Sequence, residues 1–190
     1  MTPRRMTRIA SIAALYAAMS LLAMITMSGL AWGPVQFRLS EALVILALFS
    51  FDAVPGLTLG CVIANVINVF VSGLGPLGIL DVVFGSLATL CGALFTWKMR
   101  RVYVCALSGP VLFNALIVAA YLPLMLQGIG YYTIPFTTIE LDGSYLLMYL
   151  FGIVAVGFGE AVVVYLLGLP LAKALQKTSL ATLLKDEKKH

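Results

Sequence analysis

The chain has 190 residues, of which 62% are hydrophobic and only 11% charged, with a net charge of +4, and its mean hydropathy of +1.05 excludes an ordinary soluble domain. The positive charge does not mark a nucleic-acid partner, because the basic residues are spread over clusters at the ends of apolar runs and form no single patch. Each long run reaches the roughly 20 residues that cross a bilayer as helix, which predicts a polytopic, all-α membrane protein.

Arg4, Arg5 and Arg8 precede an apolar run over 9–31. It exceeds the roughly 7–15 residues of a signal-peptide core and is read as a retained first helix. Ala10, Ala14, Ala17 and Ala18 share one face of it, with Ala13 beside them. Small residues at that spacing let another helix approach closely, either inside the bundle or from a separate subunit. A loop then carries Gln36, Phe37, Arg38 and Glu41, and Arg38 is the one basic residue between Arg8 and Lys98. An amide, a guanidinium and a carboxylate within six residues are costly in so apolar a chain unless they stay wet, pair or hold a ligand. A purely local Arg38–Glu41 ion pair is the simpler alternative.

Ser40 is the expected cap of a short second helix ending near Ser50, and Phe51–Gly56 is expected to turn the chain back. The third helix, 57–71, stacks Gly60, Ala64 and Asn68 at i, i+4 and i+8, on a face towards neighbouring helices. Residues 72–78 match G-x-G-x-x-G by accident, since a dinucleotide fingerprint needs a strand before it and a helix after it in a βαβ unit. The fourth helix, 81–95, opens with Asp81, placed over Gly85, Thr89 and Gly92, and ends at Trp97 and three basic residues. Asp81 also suits the dipole of a helix start.

The fifth helix, 102–126, holds Pro110 as the expected kink and Asn114 near its centre, where an amide must find a partner, water or a ligand. A long aromatic loop, 127–144, carries Tyr131, Tyr132, Phe136, Glu140 and Asp142. The sixth helix, 145–169, places Tyr149, Val156 and Glu160 near one face. Cys61, Cys91 and Cys105 are odd in number and read as buried thiols. The expected division is a six-helix domain over 1–172 and a polar tail over 173–190.

Six crossings put both termini on one side. Eleven of the twelve basic residues then share that side, which is cytoplasmic by the positive-inside rule, and Arg38 alone lies outside. Gln36, Arg38, Glu41 and Asp81 are expected near the outer face, with Asn114 and Glu160 nearer mid-membrane. A cavity opening outward to Glu160 would offer a carboxylate to adjacent N–H donors, amides from Gln36, Asn68 or Asn114 to a carbonyl, and aromatic faces from Phe37 or Tyr149 to a flat ring. No catalytic, cofactor or metal-ligand spacing is present in the sequence, and no phosphate-binding loop, so uphill transport needs a partner or an ion gradient. A proton-coupled carrier with Glu160 as proton site is a second transport reading, and a structural membrane protein a third.

The segments Gln36-Phe37-Arg38-Leu39-Ser40-Glu41-Ala42-Leu43, Gly60-Cys61-Val62-Ile63-Ala64-Asn65 and Asp81-Val82-Val83-Phe84-Gly85-Ser86-Leu87-Ala88-Thr89-Leu90 resemble the QueT family. So do Gly109-Pro110-Val111-Leu112-Phe113-Asn114 and Gly157-Phe158-Gly159-Glu160-Ala161. The resemblance covers nearly the whole chain except the tail. It implies the substrate-binding (S) component of an energy-coupling-factor importer of a prokaryotic plasma membrane. The implied substrate is a queuosine precursor with a 7-deazaguanine base, and the implied partners are a transmembrane coupling subunit and two ATPases. The alanine face of the first helix resembles the docking surface of such components. An S component for another vitamin or nucleobase is the alternative within that scaffold.

Overall fold

The computed structural model describes residues 2–26, 37–71, 75–128 and 144–178, which form an all-helical bundle. Among the described residues, five helices are long and apolar enough to cross a membrane. They are α1 (Pro3–Thr26), α3 (Ala53–Val71), α4 (Gly75–Lys98), α5 (Ser108–Gly128, preceded by the single turn Tyr103–Ala106) and α6 (Tyr145–Gln176). Large apolar side chains such as Leu22, Ile25, Phe70, Val154, Phe158 and Leu166 stand exposed around the outside. On a soluble protein that surface would aggregate; in a bilayer it meets acyl chains.

The expected sixth span is α2 (Leu39–Leu48), ten residues wound as a 3-10 helix. At about 2 Å per residue it covers about 20 Å, short of the roughly 30 Å hydrocarbon core. Eight of its ten residues are buried, so its backbone is held from all sides by the bundle. It runs antiparallel to α1: Ser20 Oγ donates to Ser40 Oγ at 2.7 Å, and beyond the far end of α2 Asp52 receives Arg5 at 2.5 Å and Arg8 at 3.4 Å. From Ser20 back to Arg8, α1 covers about 18 Å.

Several local expectations change. Ser40 is taken up by Ser20 and does not cap α2, whose N-cap position is Arg38 with no side-chain cap bond. Residues 53–56 belong to α3, so the turn is confined to the residues just before it. Asp81 is not at a helix start but deep in α4, where residues Asp81–Gly85 form a π turn. Pro110 lies in the first turn of α5, after a break at Leu107, and needs no kink there because its missing N–H falls among the unpaired ones; Pro123 is the interior proline. In α6 a second π turn, Val162–Gly168, follows Glu160, and the helix passes Pro170 to reach Gln176.

Small residues set the helix spacing. A Cβ on Gly60 would stand 2.7 Å from the Ala13 carbonyl oxygen and from Tyr16 Cβ, so α1 and α3 meet backbone to backbone. A Cβ on Gly92 would meet Pro110 at 2.9 Å, which does the same for α4 and α5. The first-helix alanines divide: Ala13 and Ala17 are buried in the bundle, whereas Ala10, Ala14 and Ala18 are exposed.

Among the described residues, the basic side chains other than Arg38 gather at one end. Phe51, next to Asp52, lies edge-on to Trp97 at 5.7 Å, and Arg100 stacks 3.7 Å over the same ring. Gln176 at the end of α6 donates to the Tyr103 hydroxyl. The start of α1, the end of α4 and the end of α6 therefore share one end of the bundle, and Arg38 lies towards the other.

Candidate functional site

The polar side chains of the bundle converge between α1, α2, α3, α4 and α5. The close α1–α3 contact at Gly60 fixes Tyr16, whose hydroxyl donates to Glu41 Oε1 at 2.5 Å. Thr89, two turns along α4 from Asp81, donates to the same oxygen at 2.9 Å. Glu41 is fully buried, and its second oxygen has no hydrogen-bond partner among the described residues.

Asp81 is built differently. Its Oδ1 accepts from Arg38 Nη2 at 3.1 Å and from the Tyr121 hydroxyl at 2.5 Å. The π turn alters the backbone pairing at this point, and Asn65 Nδ2 donates to the Asp81 carbonyl at 2.7 Å. Gly85 keeps the corner open: a Cβ there would press on Asn65 Nδ2, the Tyr121 hydroxyl and Asp81 Oδ1 at 3.2–3.4 Å. Arg38 is 8% exposed and Asp81 1%, so this ion pair is buried and long-range, linking the connection before α2 to α4. Glu41 draws its hydrogen bonds from α1 and α4, and Arg38 lies within electrostatic reach of it as well.

Glu160 and Asn114 meet across α5 and α6, Asn114 Nδ2 donating to Glu160 Oε1 at 3.0 Å. Both are buried, and Asn114 Oδ1 has no partner among the described residues. Glu160 lies within electrostatic reach of Glu41 and Arg38. The Asn114–Glu160 pair is thus a second polar group of the interior, beside those built on Glu41 and Asp81.

Asn68 is 1% exposed, and neither atom of its amide has a hydrogen-bond partner among the described residues. Phe37 is half-buried. Tyr149 is not brought into the hydrogen-bonded cluster; its half-buried ring stacks on Tyr145 at 6.3 Å, and Tyr145 donates to the Ala120 carbonyl. Gln36 and, in the 127–144 loop, Tyr131, Tyr132, Phe136, Glu140 and Asp142 lie outside the described residues.

The sequence reading missed Tyr16, Asn65, Thr89 and Tyr121 as site residues. A signal existed for some. Tyr121 follows Asn114 by two helical turns, and Thr89 follows Asp81 by two, so each repeats a polar residue on its own face. Tyr16 faces opposite the exposed alanines of α1.

A narrow cleft of about 20 Å³ opens beside Arg38 and is lined by Tyr16, Ser20, Ala23, Ser40, Cys61 and Asn65. That is room for about one water molecule, well below the roughly 300–1,000 Å³ of small-molecule sites, so a larger solute needs the helices around it to part. A larger groove of about 520 Å³ runs between α4 and α5 along Phe84, Leu87, Leu116 and Leu124. Those four side chains are largely exposed apolar surface, which suits acyl chains and offers little to a polar molecule. The cleft beside Arg38, with its charged and amide neighbours, is the chemically competent one.

This chemistry is one of binding. Buried carboxylates and amides with unfilled hydrogen-bonding capacity, set in a bundle surrounded by apolar surface, suit the capture of a polar solute at a membrane. No curated protein and no solved structure matches the chain. The family model described as QueT transporter matches residues 6–177. The chain therefore belongs to the QueT transporter family, as a multi-pass membrane protein of a family of transporters and not of enzymes.

Proposed function

We propose that the chain is the substrate-binding component of an energy-coupling-factor importer in a prokaryotic plasma membrane. It takes up a queuosine precursor with a 7-deazaguanine base at the outer face. Six crossings with both termini cytoplasmic are supported by the antiparallel course of α2 along α1 and by the basic residues at one end of the bundle. A coupling subunit docks on the exposed Ala10–Ala14–Ala18 stripe of α1, and two ATPases drive uptake. Of the alanines expected on that surface, Ala17 belongs to the bundle instead.

One observation carries the reading: three buried carboxylates and two buried amides, several with unfilled hydrogen-bonding capacity, lie inside a lipid-facing bundle. A deazaguanine presents a ring N–H and an exocyclic amine beside a carbonyl. Glu160 suits the two donors, and Asn114 or Asn68 suits the acceptor. Arg38, Glu41 and Asp81 surround the remainder of the base, with Phe37 at its periphery.

Native mass spectrometry of the detergent-purified chain, followed by ligand-depletion assays, tests this. The expected result is a retained or added deazaguanine and no binding of riboflavin, biotin or thiamine. Binding of one of those vitamins instead would assign the scaffold to another substrate. Uptake in vesicles without ATPase partners, dependent on a pH gradient, would replace the coupled importer by a proton-driven carrier.

A further inference from the structure

We infer that the groove between α4 and α5 is a binding site for one acyl chain of a membrane phospholipid. Its shape follows from how the two helices meet. At Gly92 and Pro110 they touch backbone to backbone, where a Cβ on Gly92 would stand 2.9 Å from Pro110 Cα. Away from that contact the facing positions become large. Leu80, Phe84 and Leu87 recur at helical spacing on α4, and Leu116 and Leu124 do so on α5, with Ala120 between them. These side chains wall the groove of about 520 Å³, and the buried Tyr121 ring, 6.0 Å from the Phe84 ring, lies at its floor.

The lining decides the occupant. Among the described residues that form it, the only polar side-chain group is the Tyr121 hydroxyl, which already donates to Asp81 Oδ1 at 2.5 Å. A polar solute therefore finds nothing to bind. A helix of another subunit needs small residues to bring its backbone close, and here one alanine stands among leucines and a phenylalanine. A flexible hydrocarbon chain enters between those side chains and restores the dispersion contacts that an unfilled groove forfeits. The groove is continuous with the lipid-facing surface, where Val83 and Leu112 are exposed beside it. Length agrees: Leu80 to Leu87 rises about 11 Å and Leu116 to Leu124 about 12 Å, most of the roughly 15 Å of one hydrocarbon leaflet. Leu87 lies about 17 Å of helix from Lys98, so the chain belongs to the leaflet away from the basic end of the bundle. None of the described lining residues is charged, so the site holds the chain and is indifferent to the headgroup. A seated chain covers the Tyr121 ring and closes the lipid side of the Arg38–Asp81 pair.

The test is native mass spectrometry of the full chain, delipidated in detergent and then given palmitoyl-oleoyl phosphatidylglycerol or the matching phosphatidylethanolamine. One adduct is expected to survive the collisional activation that strips other lipids, equally for both headgroups. Ala120→Trp, which fills the groove, should lose that adduct, whereas Val154→Trp, on the exposed side of α6, should keep it. A phosphatidylcholine bearing a diazirine on one acyl chain gives a second readout on the unaltered chain in nanodiscs. Its label is expected to concentrate on residues 80–87 and 116–124. No surviving adduct, an adduct formed with phosphatidylglycerol alone, an adduct that persists in folded Ala120→Trp, or label spread evenly over the lipid-facing helices would overturn the inference. Should Ala120→Trp not fold, the labelling pattern decides between the two outcomes.

Discussion

At the scale of single residues, the interior is organised by side chains that satisfy one another across helices far apart in sequence. Arg38 and Asp81 are separated by 43 residues, and Tyr121 reaches Asp81 across another 40. Removing one partner of a buried ion pair costs about 3–5 kcal/mol, because a charge is left without compensation. Arg38→Met is therefore expected to lower the thermal midpoint of the purified protein sharply. Combining it with Asp81→Asn should recover much of the loss, which a double-mutant cycle would measure. A single variant as stable as the parent would show that the pair contributes little. The sequence pointed to both members, since a charge in an apolar run advertises itself. Tyr16 and Tyr121 were harder to see, because tyrosine is as common at membrane interfaces as in polar networks.

At the scale of elements, helix positions were legible from the apolar runs but their winding was not. Length and hydropathy identify α1, α3, α4, α5 and α6. Nothing in Leu39–Leu48 announces a 3-10 helix, because its residues are ordinary helix formers and its geometry comes from burial by the surrounding bundle. The π turns at Asp81–Gly85 and Val162–Gly168 are equally silent in sequence. They follow from tertiary partners, as Asn65 on the Asp81 carbonyl illustrates. The glycines, by contrast, had structural meaning already at the sequence level. Gly60 lets α3 approach α1 and so delivers Tyr16 to Glu41. Gly60→Leu is expected to separate those helices and to lower both thermal stability and the yield of monodisperse protein. Leu at exposed Ala10 should leave both unchanged. Equal tolerance of the two substitutions would contradict the packing role of Gly60.

At the scale of the whole molecule, the bundle presents two faces of different chemistry. Among the described residues its interior holds Arg38, Glu41, Asp81 and Glu160, and its exterior is largely apolar, with the small-residue stripe of Ala10, Ala14 and Ala18 on α1. In the proposed assembly, Ala14→Trp blocks the coupling subunit without disturbing the substrate. Uptake by cells expressing all components should then fall to background, while base binding by the isolated chain persists. Uptake at the parental rate would move the docking surface elsewhere. The central claim is that the buried polar cluster is the substrate site, and equilibrium binding of a 7-deazaguanine to purified wild-type and Glu160→Gln protein tests it most directly. A loss of about tenfold or more in affinity, with the variant folded and equally stable, is the predicted result, since a charged acceptor for two donors becomes a neutral one. Unchanged affinity would contradict it.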